Sequence, residues 1–226
     1  MTGNAIVLEE RIRIPADVFE LENFCRWAHS VDFPDCAKVS FLSGEIVIDM
    51  SPEHIETHTK VKTEFTRQLA NFVIARDLGE VLADGAFYSH AEAGLATEPD
   101  VTFCRWESLR SGRVRYESAA GKAERGVEVH GSPDLIVEIV SAHSVRKDTQ
   151  RLRKAYFTAG VREYWLVDAR GDDIQFSILT AGPNGYGEAA TGSDGYVASS
   201  VLQASFLITR DLNPVGGMRY SLQWRE

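Results

Sequence analysis

Glu138 lies at the centre of Asp134-Leu-Ile-Val-Glu-Ile-Val140, an apolar run bounded by Pro133 and Ser141. A short β-branched run of this kind reads as a strand buried on both faces. An isolated carboxylate inside it is costly to desolvate, so it must be paired, protonated or bound to a metal. Strand alternation sets Ile136, Glu138 and Val140 on one face and Leu135, Val137 and Ile139 on the other. Asp100, just after Pro99 and at the start of another apolar run, is a second candidate. Adjacent strands lie roughly 4.8 Å apart, so carboxylates on two of them can share one hard cation. Magnesium suits such a pair, because it takes one or two protein carboxylates and keeps waters for a substrate phosphate. A buried Glu138 paired with an arginine or hydrogen-bonded as the acid, and Asp100 as a turn residue at a strand entry, are the structural alternatives.

Other residues contribute less. Asp134 shares the face of Glu138, yet four strand residues span roughly 13 Å, so it cannot hold the same ion and belongs to the start of the strand. Glu45, on an early strand, either completes a metal site, orients a water or is simply solvated. His54 and His58 are spaced four apart but lack the HExxH pattern, and read as solvent-facing residues of a first helical turn. No GxSxG nucleophile elbow or activated cysteine supports acyl transfer. No glycine-rich phosphate loop, GxGxxG after a strand or GxxxxGK[ST], points to a nucleotide cofactor.

The elements that must position these groups form a mixed α/β pattern. A helix is expected from Ala16 to His29, with Phe19, Phe24 and Trp27 on one face. Glu45–Met50 reads as a strand stopped by Pro52, and a long helix follows over 53–76, with Val61, Phe65, Leu69, Phe72 and Val73 as its apolar stripe. Strands are expected near Val81, at Phe87-Tyr88 and over 101–106, and 107–132 reads as a long loop. The strand around Glu138, a helix over 144–159 stopped by Gly160, and a strand over 163–168 form a right-handed parallel crossover. Segments 174–179, 196–200 and 205–209, separated by Gly, Asn and Asp, look antiparallel.

Composition bounds the setting. The chain has 226 residues, 44% of them hydrophobic and 25% charged, with a formal charge of −9. That fits one large domain with its own core. The odd set Cys25, Cys36 and Cys104 reads as reduced thiols of a cytoplasmic protein. No apolar run reaches the roughly 20 residues of a membrane span, and no secretory signal pattern is expected at the N-terminus. The acidity argues against indiscriminate coating of nucleic acid, but it is an average. Residues 105–125 carry six Lys/Arg against three acids and 146–154 carry five against one, a sum of +7 that leaves −16 elsewhere.

A Gly-Glu strand after an early helix, then Pro99-Asp100, Pro133-Asp-Leu-Ile-Val-Glu-Ile-Val-Ser141 and Tyr156-Phe-Thr-Ala-Gly-Val-Arg-Glu-Tyr-Trp-Leu-Val-Asp168, resemble the Uma2 family. Its members are assigned to the endonucleases of PD-(D/E)XK, restriction-endonuclease-like fold. The resemblance runs from Phe19 to Asp168, with a compatible tail through Arg225. It implies a restriction-endonuclease-like mixed β-sheet flanked by helices, with an N-terminal extension over 1–18 and 169–226 completing the same domain as a β-rich part. It further implies that Asp100 and Glu138 bind Mg²⁺, or Mn²⁺ in its place, to hydrolyse phosphodiester bonds of DNA, with an acidic residue at Glu45. A homodimer is compatible with action on two strands.

The family lysine is missing from both of its usual positions. The chain has Val140 two residues after Glu138 and Leu152 four residues before Tyr156. Lys147, Arg151 and Lys154 remain as substitutes, and Lys147, nearest the end of the Glu138 strand, is the preferred one. In that role it would stabilise developing charge, with residues 105–125 contacting backbone phosphate. The alternatives are a catalytically weakened nucleic-acid-binding or regulatory module of the same fold, and a subunit that assembles through its sheet.

Overall fold

The computed structural model describes residues 14–34, 37–118 and 126–226. Helix α1 (Leu21–Ala28) leads into the hairpin β1 (Lys38–Leu42) and β2 (Glu45–Asp49). A wide helical turn, Ile55–Thr59, opens into α2 (Lys60–Ala75), followed by β3 (Gly79–Ala83), β4 (Phe87–His90), β5 (Leu95–Thr97) and β6 (Val101–Arg105). After α3 (Trp106–Arg110) come β7 (Val114–Ser118), β8 (Gly126–Gly131) and β9 (Leu135–Ile139). A second wide turn, Lys147–Leu152, continues into α4 (Arg153–Thr158). The chain finishes with β10 (Glu163–Asp168), β11 (Gln175–Gly182), β12 (Gly185–Glu188), β13 (Val197–Ser199), β14 (Ala204–Leu212) and β15 (Met218–Arg225).

Three sheets result, ordered β12-β11-β10-β9-β6-β3, β2-β1-β5-β4-β8-β7 and β13-β14-β15. In the first, β9 and β10 are parallel, as the strand–helix–strand pattern requires. Its two faces serve different cores. Leu135, Val137, Ile139, Trp165 and Val167 meet the predicted α2 stripe and the third sheet, where Trp165 and Phe206 ring centroids lie 4.8 Å apart. Ile136 and Tyr164 meet Tyr156 of α4 and Tyr88 and Leu95 of the second sheet. Each fully buried side chain of this size contributes about 1.5–3 kcal/mol, which is what clamps β9 from both sides. The α4 helix ends at Gly160, whose φ of +74° permits the left-handed turn in which the Val161 amide bonds back to the Tyr156 carbonyl at 3.0 Å.

Two expected elements differ. The first helix starts at Leu21, because Glu20 is extended (φ −98°, ψ 133°). Val18, not Phe19, enters the core, and Phe19 stays 62% exposed. The expected loop over 107–132 contains α3 and the β7–β8 pair instead, with residues 119–125 outside the described ones. Strand β7 buries Val114 but leaves Arg115, Tyr116 and Glu117 exposed, so it shows little alternation, and β8 gains its place by parallel pairing with the distant β4. Strands β1, β5, β12 and β15 lie outside the expected segments as well. Cys25 and Cys104 are free thiols, and Cys36 lies outside the described residues, as do residues 1–13 of the expected N-terminal extension. Among the described residues, no helix is long and apolar enough to cross a membrane.

Candidate active site

Antiparallel β6 and β9 pair Val101 with Val137. Continuing that register by one residue sets Asp100 opposite Glu138, and alternation sends both carboxylates to the face of Ile136. They are 3% and 4% exposed. Asp100 Oδ2 accepts a hydrogen bond from the Ile139 amide at 2.8 Å, which fixes it across the strand pair. Glu138 Oε1 accepts one from the Tyr156 hydroxyl at 2.6 Å. Burial first, and then the charge of Asp100, push the Glu138 carboxyl well above the ordinary carboxylate range, against the pull of Lys147.

The route from β9 to Lys147 is set by two serines. The Ser141 amide donates to Ser144 Oγ at 2.8 Å, and the Ser144 amide donates to Ser141 Oγ at 3.1 Å. This reciprocal cap reverses the chain at the end of the strand. The wide turn then returns the Lys147 ammonium toward the carboxylates. Burial disfavours its charge, but Glu138, Asp148 and Asp100 outweigh burial and hold its pKa above the ordinary lysine value. Asp148, only 1% exposed, is pushed up to about 6 by burial despite the lysine beside it.

A second group closes the pocket from the other side. His58 is 5% exposed, with Nδ1 3.3 Å from Glu53 Oε2 and Nε2 3.6 Å from Asp100 Oδ2. Ligand atoms of Glu53, His58 and Asp100 all lie within 4.8 Å of one another. Lys38 Nζ and Lys62 Nζ each stand 2.6 Å from Glu53 Oε1, and 3.6 and 3.7 Å from Asp100 Oδ1. Burial works against the Glu53 charge, but hydrogen bonds from Lys38 and Lys62 prevail and hold its pKa at about 2.

The space between these groups is about 40 Å³, roughly enough for a cation and one or two waters. Asp49, Glu53, Glu98, Asp100, Glu138 and Asp148 line it against Lys38 and Lys147, an acidic excess that a divalent cation would relieve. His58 Nδ1 and Asp148 Oδ1 are buried and make no hydrogen bond among the described residues. An imidazole nitrogen left in this way suits a transition metal such as Mn²⁺, and the carboxylates suit Mg²⁺ equally. The donor set therefore fits a divalent ion.

Asp100, Glu138 and Lys147 are thus brought together. Glu45 is not: its carboxylate is 73% exposed and pairs with Arg151 at 2.8 Å, in an adjoining cavity that Lys154 also lines. It sits at the opposite end of β2 from Asp49, too far along the strand to reach the acidic pocket. Val140 and Leu152, at the positions where a lysine was expected, are buried apolar residues. Asp134 accepts hydrogen bonds from the Arg105 amide at 2.9 Å and Ser108 Oγ at 3.0 Å, the structural role expected of it.

His58 corrects the reading of two solvent-facing histidines. His54 is exposed because it precedes the helical turn in extended conformation (φ −76°, ψ 119°), so the four-residue spacing does not place the pair on one face. Of the basic residues of 105–125, Arg110 is exposed and makes no ion pair among the described residues, and three others are engaged within the protein. Arg105 donates to the Val201 carbonyl, Arg113 to the Ser132 carbonyl, and Arg115 pairs with Glu117, while Lys122 and Arg125 lie outside the described residues. Glu53, Lys38 and Lys62 escaped the sequence reading. One signal was present, since Lys62 falls one helical turn after His58.

This fold is shared with a nuclease-type structure. It is similar to the crystal structure, at 1.96 Å, of "a putative nuclease belonging to DUF820 from Anabaena variabilis ATCC 29413". The TM-score is 0.59 at 15% identity, covering 81% of this chain and 90% of the other. Residues 21–208 match the family model of Uma2, described as "Putative restriction endonuclease". The chain belongs to the Uma2 family. No curated protein matches it.

Proposed function

We propose that this protein is a divalent-metal-dependent endonuclease that hydrolyses phosphodiester bonds of DNA. The observation that carries the reading is the convergence of Asp100, Glu138 and Lys147, from three separate elements, in one buried acidic pocket. Membership of a family described as "Putative restriction endonuclease" agrees with it. Asp100 and Glu138 would hold the ion, with Glu53 and His58 at hand on the Asp100 side. A bound Mg²⁺ or Mn²⁺ supplies Lewis-acid polarisation of the phosphoryl oxygen and lowers the pKa of an attacking water.

The protein's own groups do the rest. Lys147 presents a positive charge beside the carboxylates, where it would face the charge that develops on the phosphate oxygens. Tyr156 fixes the Glu138 carboxylate through its 2.6 Å hydrogen bond. The Ile139 amide fixes Asp100 in the same way. The Ser141–Ser144 cap holds the turn that aims Lys147, so a lysine outside the usual family positions would supply the missing charge.

Nicking of supercoiled plasmid with Mg²⁺ or Mn²⁺, with single-stranded DNA in parallel, tests the reading. Cleavage by the wild type and its loss in Glu138→Ala are expected. Equal cleavage by the two proteins would overturn the assignment.

A further inference from the structure

Beside the acidic pocket lies a second cavity of about 540 Å³, within the roughly 300–1,000 Å³ range of ligand sites. His143, Arg146, Lys147, Arg151 and Lys154 line it, and among the described residues Glu45 is its one carboxylate. The basic residues come from one surface for a local reason. Lys147, Arg151 and Lys154 face the cavity from the wide turn and its continuation into α4, while Asp148, Leu152 and Tyr156 turn inward. Glu45 is already engaged by Arg151 at 2.8 Å, and no carboxylate among the described residues pairs with Arg146 or Lys154. Both are exposed. Among the described residues the rest of the lining is aliphatic or hydroxylic, without a Phe, Tyr or Trp on which a base could stack. Lys147 lines both this cavity and the acidic pocket.

We propose that this cavity seats the phosphodiester backbone of the substrate strand on one side of the cleaved bond, with Arg146 and Lys154 as its phosphate contacts. The proposal rests on the nuclease reading and deepens it. The cavity reads charge and not base identity, so it positions the strand without selecting sequence. It also resolves how an acidic protein engages a polyanion, through a cationic wall confined to the helix that delivers Lys147.

The test is binding of a fluorescein-labelled DNA duplex and single strand to the full-length protein in EDTA, over a salt series. Two phosphate contacts contribute about 1.8 to the slope of log affinity against log salt for duplex, and about 1.4 for a single strand. Between 50 and 200 mM salt, duplex binding by the wild type should therefore weaken roughly tenfold more than binding by R146A/K154A. R146K/K154R should keep the wild-type slope. R26A/R219A removes the same charge from residues that do not line the cavity and should also keep it, with thermal melting confirming that each variant folds.

An R146A/K154A slope equal to wild type would overturn the cavity assignment while leaving cleavage at Glu138 intact. Competition by inorganic phosphate as effective as by the oligonucleotide would show a small-anion site, and would overturn the strand reading. Absence of DNA binding in a protein that nicks plasmid would overturn this proposal alone. Absence of both binding and nicking would overturn the nuclease reading with it.

Discussion

Glu163→Ala should cost the fold about 4 kcal/mol, although Glu163 touches neither cavity. Its carboxylate is fully buried at the start of β10, beside the strand that carries Glu138. Oε1 accepts from the Ser200 amide at 2.6 Å, the Ser200 hydroxyl at 2.8 Å and the Val201 amide at 2.9 Å. Oε2 accepts from Ser199 Oγ at 2.7 Å and Trp165 Nε1 at 3.1 Å. Alanine strands three donors that cannot turn elsewhere, two backbone amides and an indole. At about 1–3 kcal/mol for each buried donor left unpaired, partly relieved by water, the loss is about 4 kcal/mol. For a chain of this size that lowers Tm by about 8–16 °C. Glu163→Gln is milder, because the serine hydroxyls can rotate to accept from the new amide and only the indole loses its partner, a cost of about 1–3 kcal/mol. Urea denaturation read by Trp fluorescence gives both values, with the m-value unchanged. A loss below about 1 kcal/mol for Glu163→Ala would refute the claim that this carboxylate ties the β13–β14 turn to the first sheet.

Lys147→Ala should lower kcat for plasmid nicking by about 10²–10³-fold while calorimetric metal binding persists, whereas Lys154→Ala should leave kcat at saturating DNA near wild type. Away from the site, Glu128 lies between His29 and His130, 2.7 and 3.2 Å from their Nε2 atoms. The close contact with Glu128 is the main reason the His130 pKa is raised, so that its stabilisation is complete below the ordinary imidazole value of 6.5 and is lost as pH rises through the raised value. Burial opposes the Glu128 charge but its hydrogen bonds lower the pKa, so its contribution is present above 4.5 and fades as pH falls. His130→Ala should therefore destabilise the protein more at pH 6 than at pH 9, and a pH-independent loss in thermal melts would contradict this. The Cys25 and Cys104 thiols are both pushed up to about 12, chiefly by burial and next by Glu128 and Asp134 respectively. Iodoacetamide at pH 8, mapped by mass spectrometry, should leave both unmodified until denaturant is added.

Much of the site was legible because strands have a strict period. The apolar run 135–140 carried one carboxylate that burial could not tolerate unaided, and Pro99-Asp100 opened another apolar run with an acid at its head. Strand pairing then did what spacing suggested. Glu53, His58 and Lys62 were hidden because they sit where β2 gives way to α2, and a wide turn there separates residue spacing from facial position. Lys38 reaches Asp100 through a pairing of β1 within another sheet, which no local pattern encodes. Glu45 lies apart from the acidic pocket, and an acid on a strand after a turn looks alike in sequence whether it faces that pocket or the neighbouring cavity. For β7 and β8 the failure had the same source, since an exposed edge strand and a long-range parallel partner leave almost no periodic trace.

In the proposed site Asp100 and Glu138 hold one divalent ion together. Crystals soaked in Mn²⁺ and measured at the manganese absorption edge test it most directly. An anomalous peak is expected within about 2.0–2.3 Å of carboxylate oxygens of both residues, and its loss in Glu138→Ala. A peak confined to Glu53 and His58 with no contact to Glu138, or no peak in the pocket at all, would contradict it.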